Sequence, residues 1–267
     1  MTLAALAAFA ALARPLAAQD GPPAPIADNS FLIEEAYNQE SGVVQHISTF
    51  SRPDGGGGWA YSFTQEWPFR GSTHQLSYGV PVLHAAGEGT GLGDLALNYR
   101  YQLVAQGEDG IYFAPRLSVL LPVGDERRGR GAGGVGLQTN LPLSLRPRPW
   151  LALHANAGLT WTPRARNAAG DAARTIGTNL GASAIWLARS RFNLLLELLW
   201  QSAEQVVGPG RTERQDAFFI NPGVRWAYDF ASGLQIVPGV AYTVSLTDEG
   251  GPDGLFLYLS FEHPFRH

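Results

Sequence analysis

Residues 92–104, LGDLALNYRYQLV, alternate between two kinds of side chain. Leucine or tyrosine occupies every odd position from Leu95 to Leu103, while polar or charged residues such as Asp94 and Arg100 occupy most even positions. Successive side chains on a β-strand point to opposite faces of the sheet. The stretch therefore predicts a strand with one apolar and one polar face, because a helix would scatter the charges among the leucines.

The same alternation recurs along the chain and predicts about twelve strands. The predicted strands are residues 42–51, 59–69, 73–83, 92–104, 111–121, 135–145, 150–161, 175–187, 192–201, 217–229, 234–246 and 254–265. An even number of such strands is typical of a closed outer-membrane barrel. Outside the N-terminus, no apolar run reaches the roughly 18–20 residues of a membrane helix. The sequence therefore predicts an all-β fold, a closed antiparallel transmembrane barrel.

The connections between the predicted strands alternate between long and short. The long ones are residues 52–58, 84–91, 124–134, 163–174, 202–216 and 247–253. The short ones are residues 70–72, 106–110, 146–149, 188–190 and 230–233. Outer-membrane barrels have short periplasmic turns and longer external loops, so both termini are expected in the periplasm. A soluble β-sandwich, the alternative fold, gives no reason for this sorting of loop lengths.

Tryptophan positions agree with a membrane barrel. Trp150 and Trp161 are eleven residues apart on the same predicted face of one strand. On a strand tilted near 45° this separation spans roughly 25 Å, the height of the apolar band of a barrel. The pair therefore indicates two interfacial girdles of aromatic residues.

Composition excludes several classes of chemistry. The 267 residues include no Cys, so the chain has no disulfide, thiolate metal site or cysteine nucleophile. Every basic residue is Arg, which excludes a lysine Schiff base and a phosphate-binding P-loop. The net charge is −4, and no basic patch indicates a nucleic-acid partner.

The N-terminal region divides into two predicted parts before the barrel, which is predicted over residues 41–267. Residues 1–18 resemble a secretory signal peptide, with an apolar core and small residues at its end. Residues 19–40 are expected to be a periplasmic tail or a plug inside the barrel. Within them, residues 29–40 are predicted to form a helix of one or two turns, with Asn29 or Ser30 as its cap. The predicted plug residues are Phe31, Glu34, Glu35 and Tyr37.

Two stretches resemble a known family. FLIEEAYNQESGVVQHI at residues 31–47 and GLGDLALNYRYQL at residues 91–103 are similar to the outer-membrane family labelled "transporter" or putative phenol meta-pathway degradation protein. The resemblance implies a barrel and a link to the uptake of small compounds, aromatic ones among them, and it implies no catalytic residues. The last predicted strand is also similar to the C-terminal signal that the barrel-assembly machinery recognises.

Motifs for catalysis or cofactor binding are weak. Residues 131–136, GAGGVG, match a dinucleotide fingerprint literally, but a strand follows them where that motif needs a helix. His154 and Asn156 share a strand face, and a lipid hydrolase would need a Ser near His154 at the membrane surface. The remaining His residues are too scattered for a metal site. We therefore expect no enzyme activity, cofactor or metal.

The sequence predicts a channel for passive diffusion of small solutes, with outer-membrane lipid around it. The polar strand face carries many charges, which soluble cores do not bury unpaired. The predicted pore-lining residues are Glu66, Asp94, Arg100, Arg116, His154, Glu197, Arg225 and Glu262. The alternatives are a lipid-modifying enzyme and a structural or adhesive barrel that acts through its loops.

Strand counting predicts a belt of charge inside the barrel. A turn that pairs Ala105 with Ile111 places Arg100 opposite Arg116 in an antiparallel register. Two arginines directly opposite repel, so a carboxylate across the lumen or a bound anion is expected to offset them. The predicted belt contains Glu66, Arg100, Arg116, Arg225 and Glu262.

Overall fold

The computed structural model describes residues 29–106, 110–230 and 234–264. These residues form a closed antiparallel barrel of twelve strands, which confirms the predicted fold class. The strands are β1 (Val43–Pro53), β2 (Trp59–Phe69), β3 (His74–Ala85), β4 (Gly89–Leu92, Leu95–Tyr101 and Val104–Ala105), β5 (Ile111–Phe113 and Arg116–Leu121), β6 (Gly136–Asn140 and Leu143–Arg148), β7 (Leu151–Arg166), β8 (Ala172–Arg189), β9 (Phe192–Gly208), β10 (Arg211–Trp226 and Tyr228–Asp229), β11 (Gln235–Ser245) and β12 (Gly254–Pro264). The signal peptide predicted at residues 1–18 lies outside the described residues.

Closure depends on pairing between the first and last strands. β1 pairs with β12 from Val43↔Pro264 to Pro53↔Gly254. Each other strand pairs with its neighbours in the chain, so the sheet has no free edge along the barrel wall. A closed sheet satisfies the backbone hydrogen-bonding groups internally, as a membrane-spanning sheet must.

The outer face of the wall is apolar. Leu97, Leu141 and Leu196 are 49%, 45% and 45% exposed, and each alternates with side chains directed to the interior. Trp150 and Trp161, the predicted girdle pair, are also exposed on this face. Among the described residues, no helix is long and apolar enough to cross a membrane. The apolar exterior fits the lipid of a bacterial outer membrane.

Three connections predicted as long loops are wrong. Residues 84–91 are paired strand apart from a turn at residues 86–88. Residues 163–174 and 202–216 are mostly paired strand. β7 and β8 pair as far as Arg166 and Ala172, and β9 and β10 continue to a tight turn at residues 209–210. The apolar alternation ends where lipid contact ends, so the hydrophobic pattern gives no signal for these polar extensions. Polar cross-strand contacts hold the β9–β10 extension, including Arg214 Nη2 to Glu204 Oε1 at 3.0 Å and Gln205 Nε2 to Gln215 Oε1 at 2.6 Å.

The register across β3, β4 and β5 was predicted from strand counting. Arg100 pairs with Arg116, so the predicted pairing of the two arginines is confirmed, and Gln75 pairs with Arg100 on its other side. The assumed turn is wrong by one residue, because Ala105 pairs with Tyr112. Breaks in β4 and β5 absorb this shift before the arginines are reached.

Candidate functional site

The candidate site is the barrel interior, which carries buried polar side chains at the inward positions of the strands. Of the predicted pore-lining residues, Arg100, His154, Glu197 and Arg225 are at most 3% exposed. Residues 29–40 lie inside the barrel and contact Arg100, His154 and Glu197. We call residues 29–40 the N-terminal segment.

The N-terminal segment has no helix, so the helix predicted there is wrong. Its backbone N–H groups donate to side chains of the wall instead of to each other. Ala36 donates to Ser144 Oγ at 2.7 Å, Asn38 to Gln102 Oε1 at 2.9 Å, and Gln39 to Gln75 Oε1 at 2.6 Å. These acceptors supply the bonds that an isolated helix would have made within itself.

Glu197 of β9 anchors the start of the segment. Its Oε1 atom accepts hydrogen bonds from the consecutive backbone N–H groups of Phe31, Leu32 and Ile33 at 3.0, 2.8 and 3.1 Å. Its Oε2 atom accepts from Asn221 Nδ2 at 2.7 Å. Successive backbone N–H groups around one anion form a nest, an arrangement that stabilises negative charge. Glu197 is fully buried, so this nest replaces the water that its carboxylate has lost.

Phe31 packs where the wall has glycine. Its ring centroid lies 5.1 Å from that of Tyr258 and 5.6 Å from that of Phe256, both on β12. A methyl group added at Gly239 would lie 2.5 Å from Phe31 Cζ, and one at Gly223 would lie 2.7 Å from Cε2. Only glycine leaves room for the ring at these two wall positions.

Glu34 connects the segment to the opposite part of the wall. Its Oε1 atom is 3.2 Å from Arg100 Nη1, and its Oε2 atom is 2.9 Å from Arg116 Nε. Asn140 Nδ2 also donates to Oε2 at 2.6 Å. One carboxylate thus bridges two arginines that face each other across β4 and β5, and it supplies the offsetting charge that the register requires.

The other predicted plug residues, Glu35 and Tyr37, have different contacts. Glu35 Oε1 accepts from Asn29 Nδ2 at 2.9 Å, within the segment itself. The Tyr37 ring packs edge-on against Tyr112 at 4.7 Å and against His154 at 6.0 Å between centroids. Together with the anchors above, these contacts reach from β3 around the wall to β12. The segment therefore has contacts on both sides of the lumen.

The other predicted pore-lining residues are spread along the barrel. Gln75 Nε2 donates to Glu66 Oε2 at 2.8 Å. Asp94 accepts the backbone N–H groups of Gly124 and Ala132 at 3.0 and 2.7 Å, so it holds a loop at the far end of the barrel. Glu262 pairs in register with Gln45.

The predicted five-charge belt is not one ring of neighbours. Arg225 pairs with Gly239, and Gly239 pairs with Tyr258. Glu262 lies four positions further along the same strand as Tyr258, so it is not beside Arg225. Glu66 does lie near the two arginines, since Gln75 bridges it to Arg100, but the carboxylate that forms ion pairs with them is Glu34 of the segment, which strand counting on the wall does not include.

The fold has counterparts among solved structures. The COG4313 outer membrane channel from Pseudomonas putida F1 aligns with a TM-score of 0.64 at 12% identity, over 85% of this chain and 97% of that one. The NanC porin aligns with a TM-score of 0.55 at 11% identity, over 84% of this chain and all of that one. The fold is that of an outer-membrane barrel. No protein-family model matches the chain, and no curated protein matches it.

The described residues include no group of three or more His, Cys, Asp or Glu side chains placed to hold a metal ion. The polar groups of the interior instead bind the segment. Their arrangement can act on a solute through hydrogen bonds, charge and the position of the segment.

Proposed function

We propose that this chain is an outer-membrane channel for the passive diffusion of small solutes, and that the N-terminal segment closes it in this conformation. One observation carries the proposal: the segment is held inside the barrel by hydrogen bonds between its backbone and wall side chains. Barrels of eight strands are filled by their own side chains, whereas those of sixteen or more leave an aqueous channel. Twelve strands leave room that a peptide segment can occupy and vacate.

We further propose that small aromatic compounds are among the solutes. The resemblance of residues 31–47 and 91–103 implies this class. Aromatic side chains of the wall, including Tyr112 and Tyr258, contact the rings of Tyr37 and Phe31. The same side chains would face a solute once the segment has left, and aromatic pairs contribute about 0.5–1.5 kcal/mol beyond their buried area.

Conductance in planar lipid bilayers tests the proposal. Deleting residues 19–40 is expected to raise the conductance of a single channel, because it removes the segment from the lumen. Deleting residues 19–28 alone is the matched control, since it leaves every contact of the N-terminal segment in place, and its conductance should equal that of the full chain. A 19–40 deletion that folds and inserts, yet conducts no better than the full chain, would rule out closure by the segment.

A lipid-modifying enzyme is the second candidate, because His154 does have a serine within reach. Ser144 Oγ and His154 Nδ1 are 2.7 Å apart. Both side chains are buried in the interior, at 0% and 3% exposure, and Ser144 also accepts the Ala36 N–H. A lipid hydrolase would need this serine at the membrane surface. The interior position of Ser144 and His154 therefore favours a structural role for their contact.

A structural or adhesive barrel is the third candidate, and the position of the N-terminal segment inside the lumen favours it. Such a barrel would act through its long external loops. One of these, predicted at residues 202–216, is instead a paired hairpin. The deletion experiment separates the two functions. A barrel without residues 19–40 that folds but passes no ions would support the structural role.

A further inference from the structure

Two arginines face each other inside the barrel and cannot both be discharged. Arg100 and Arg116 are directly paired across β4 and β5. Arginine stays protonated in proteins, and like charges directly opposite on neighbouring strands are destabilising. Arg100 is only 3% exposed, so water screens this repulsion poorly. The pair therefore needs a negative partner.

The wall offers these arginines neutral oxygen atoms. Arg116 donates to Asn98 Oδ1 at 3.0 Å and to Gln138 Oε1 at 3.2 Å. Arg100 donates to Gln75 Oε1 at 3.1 Å. Among the described residues, the carboxylate that forms ion pairs with them is Glu34, and it belongs to the segment.

The segment supplies further acceptors to Arg100. The carbonyl oxygens of Glu35 and Tyr37 and the Oδ1 atom of Asn38 all accept from its guanidinium. When the segment leaves, Arg100 loses these bonds together with Glu34. The wall then retains two guanidinium groups and the Asn140 amide, with donors aimed at the positions that the two Glu34 oxygens had occupied. Guanidinium groups match carboxylates in both charge and geometry.

We infer that Arg100, Arg116 and Asn140 form a binding site for the carboxylate of a small organic acid, and that Glu34 occupies this site while the channel is closed. The inference rests on the proposed channel function. It adds a solute class, because a permeating carboxylate would replace Glu34 on the same three side chains. Opening would then exchange one carboxylate for another and leave neither arginine without an anion.

Chemical rescue in the full-length chain tests the site without measuring transport. Glu34→Ala removes the carboxylate and leaves the arginine pair without its ion-pair partner. Sodium acetate, with ionic strength held constant by chloride, should raise the Tm of this variant by about 3–5 °C in a saturable manner. Glu35→Ala is the matched control, since it removes the adjacent carboxylate, which accepts a hydrogen bond from Asn29 and lies beyond ion-pair distance of both arginines. Neither the control nor the wild type should respond to acetate.

Two further variants test whether acetate binds at the arginine pair. Adding Arg116→Ala to Glu34→Ala should abolish the acetate response, because one of the two guanidinium groups is lost. If Glu34→Ala does not fold, Glu34→Ser, which also leaves the position of the carboxylate open, is titrated instead. No acetate response in the Glu34 variant, an equal response in Glu35→Ala, or an equal response to phosphate would overturn the carboxylate assignment. Because the readout is stability, it holds whether or not the barrel conducts.

Discussion

Glu197 and Glu34 hold the N-terminal segment through opposite arrangements of charge. Glu197 is a wall carboxylate that accepts backbone N–H groups of the segment, and Glu34 is a segment carboxylate bound by wall arginines. Strand alternation predicted the inward direction of Glu197, Arg100 and Arg116, because facing follows from residue parity alone. It could not predict that Glu34 would join the two arginines, since an irregular segment has no period from which to infer facing.

Sequence analysis did not identify Gly223 and Gly239, the wall glycines that pack against Phe31. A glycine at an inward position of a strand carries no polarity signal. Its role is visible only once Phe31 is placed against it. Glu34, by contrast, was predicted as a plug residue from its place beside an apolar stretch, without any indication of its partners.

A larger side chain in the space that the Phe31 ring occupies is expected to favour opening of the channel. In Gly239→Ala the new methyl group would lie 2.5 Å from Phe31 Cζ, so the ring must move. Overpacking of this kind costs about 1–3 kcal/mol, and here the cost falls on the closed conformation. Single-channel recording should show a higher open probability than in the wild type.

Gly79→Ala is the control for this change. Gly79 lies on β3, and its nearest neighbour to an added methyl group is Thr64 Oγ1 at 3.7 Å, an ordinary contact. Its open probability should match that of the wild type. Equal behaviour of the two variants would mean that Phe31 does not hold the segment in place.

At the scale of elements, the sequence predicted every strand of the barrel and misjudged where some of them end. The errors lie at the turn between β3 and β4 and, over longer stretches, on β7 to β10, whose extensions carry polar and charged residues beyond the apolar band. Strand pairing continues there because backbone hydrogen bonds and polar cross-strand contacts do not depend on lipid. The helix predicted for the N-terminal segment is wrong for the converse reason. It was predicted from local capping residues, but side chains distant in the sequence accept hydrogen bonds from the backbone N–H groups of the segment.

Trypsin should distinguish a paired hairpin from a loop at residues 202–216. Arg214 donates to Glu204 and to Ser202 Oγ within the β9–β10 extension. Proteases cut mobile backbone much faster than paired strands. In reconstituted vesicles, cleavage after Arg214 is expected to be slower than cleavage after Arg128, which lies in the loop between β5 and β6 and is 55% exposed. Cleavage at Arg214 as fast as at Arg128 would contradict the hairpin.

At the scale of the whole molecule, the barrel and its filling are specified in different ways. Closure follows from repeated local alternation and short turns, so the sequence predicts it. The path of the segment depends on pairs such as Phe31 with Glu197, which are 166 positions apart in the chain. Such contacts leave no local pattern. A single sequence can therefore indicate that a plug is plausible without showing which side chains hold it.

A reversible covalent lock would test the central claim most directly. Ser30 Oγ of the segment and Ser183 Oγ of β8 are 2.6 Å apart, and the chain contains no Cys. In the variant Ser30→Cys with Ser183→Cys, two sulfur atoms would replace these oxygens at close to bonding range. The single variants, Ser30→Cys and Ser183→Cys, are the controls. If the segment closes the channel, the oxidised double variant should lose the channel openings of the wild type, and reduction should restore them. A fully cross-linked double variant that opens and conducts like the wild type would contradict closure by the N-terminal segment.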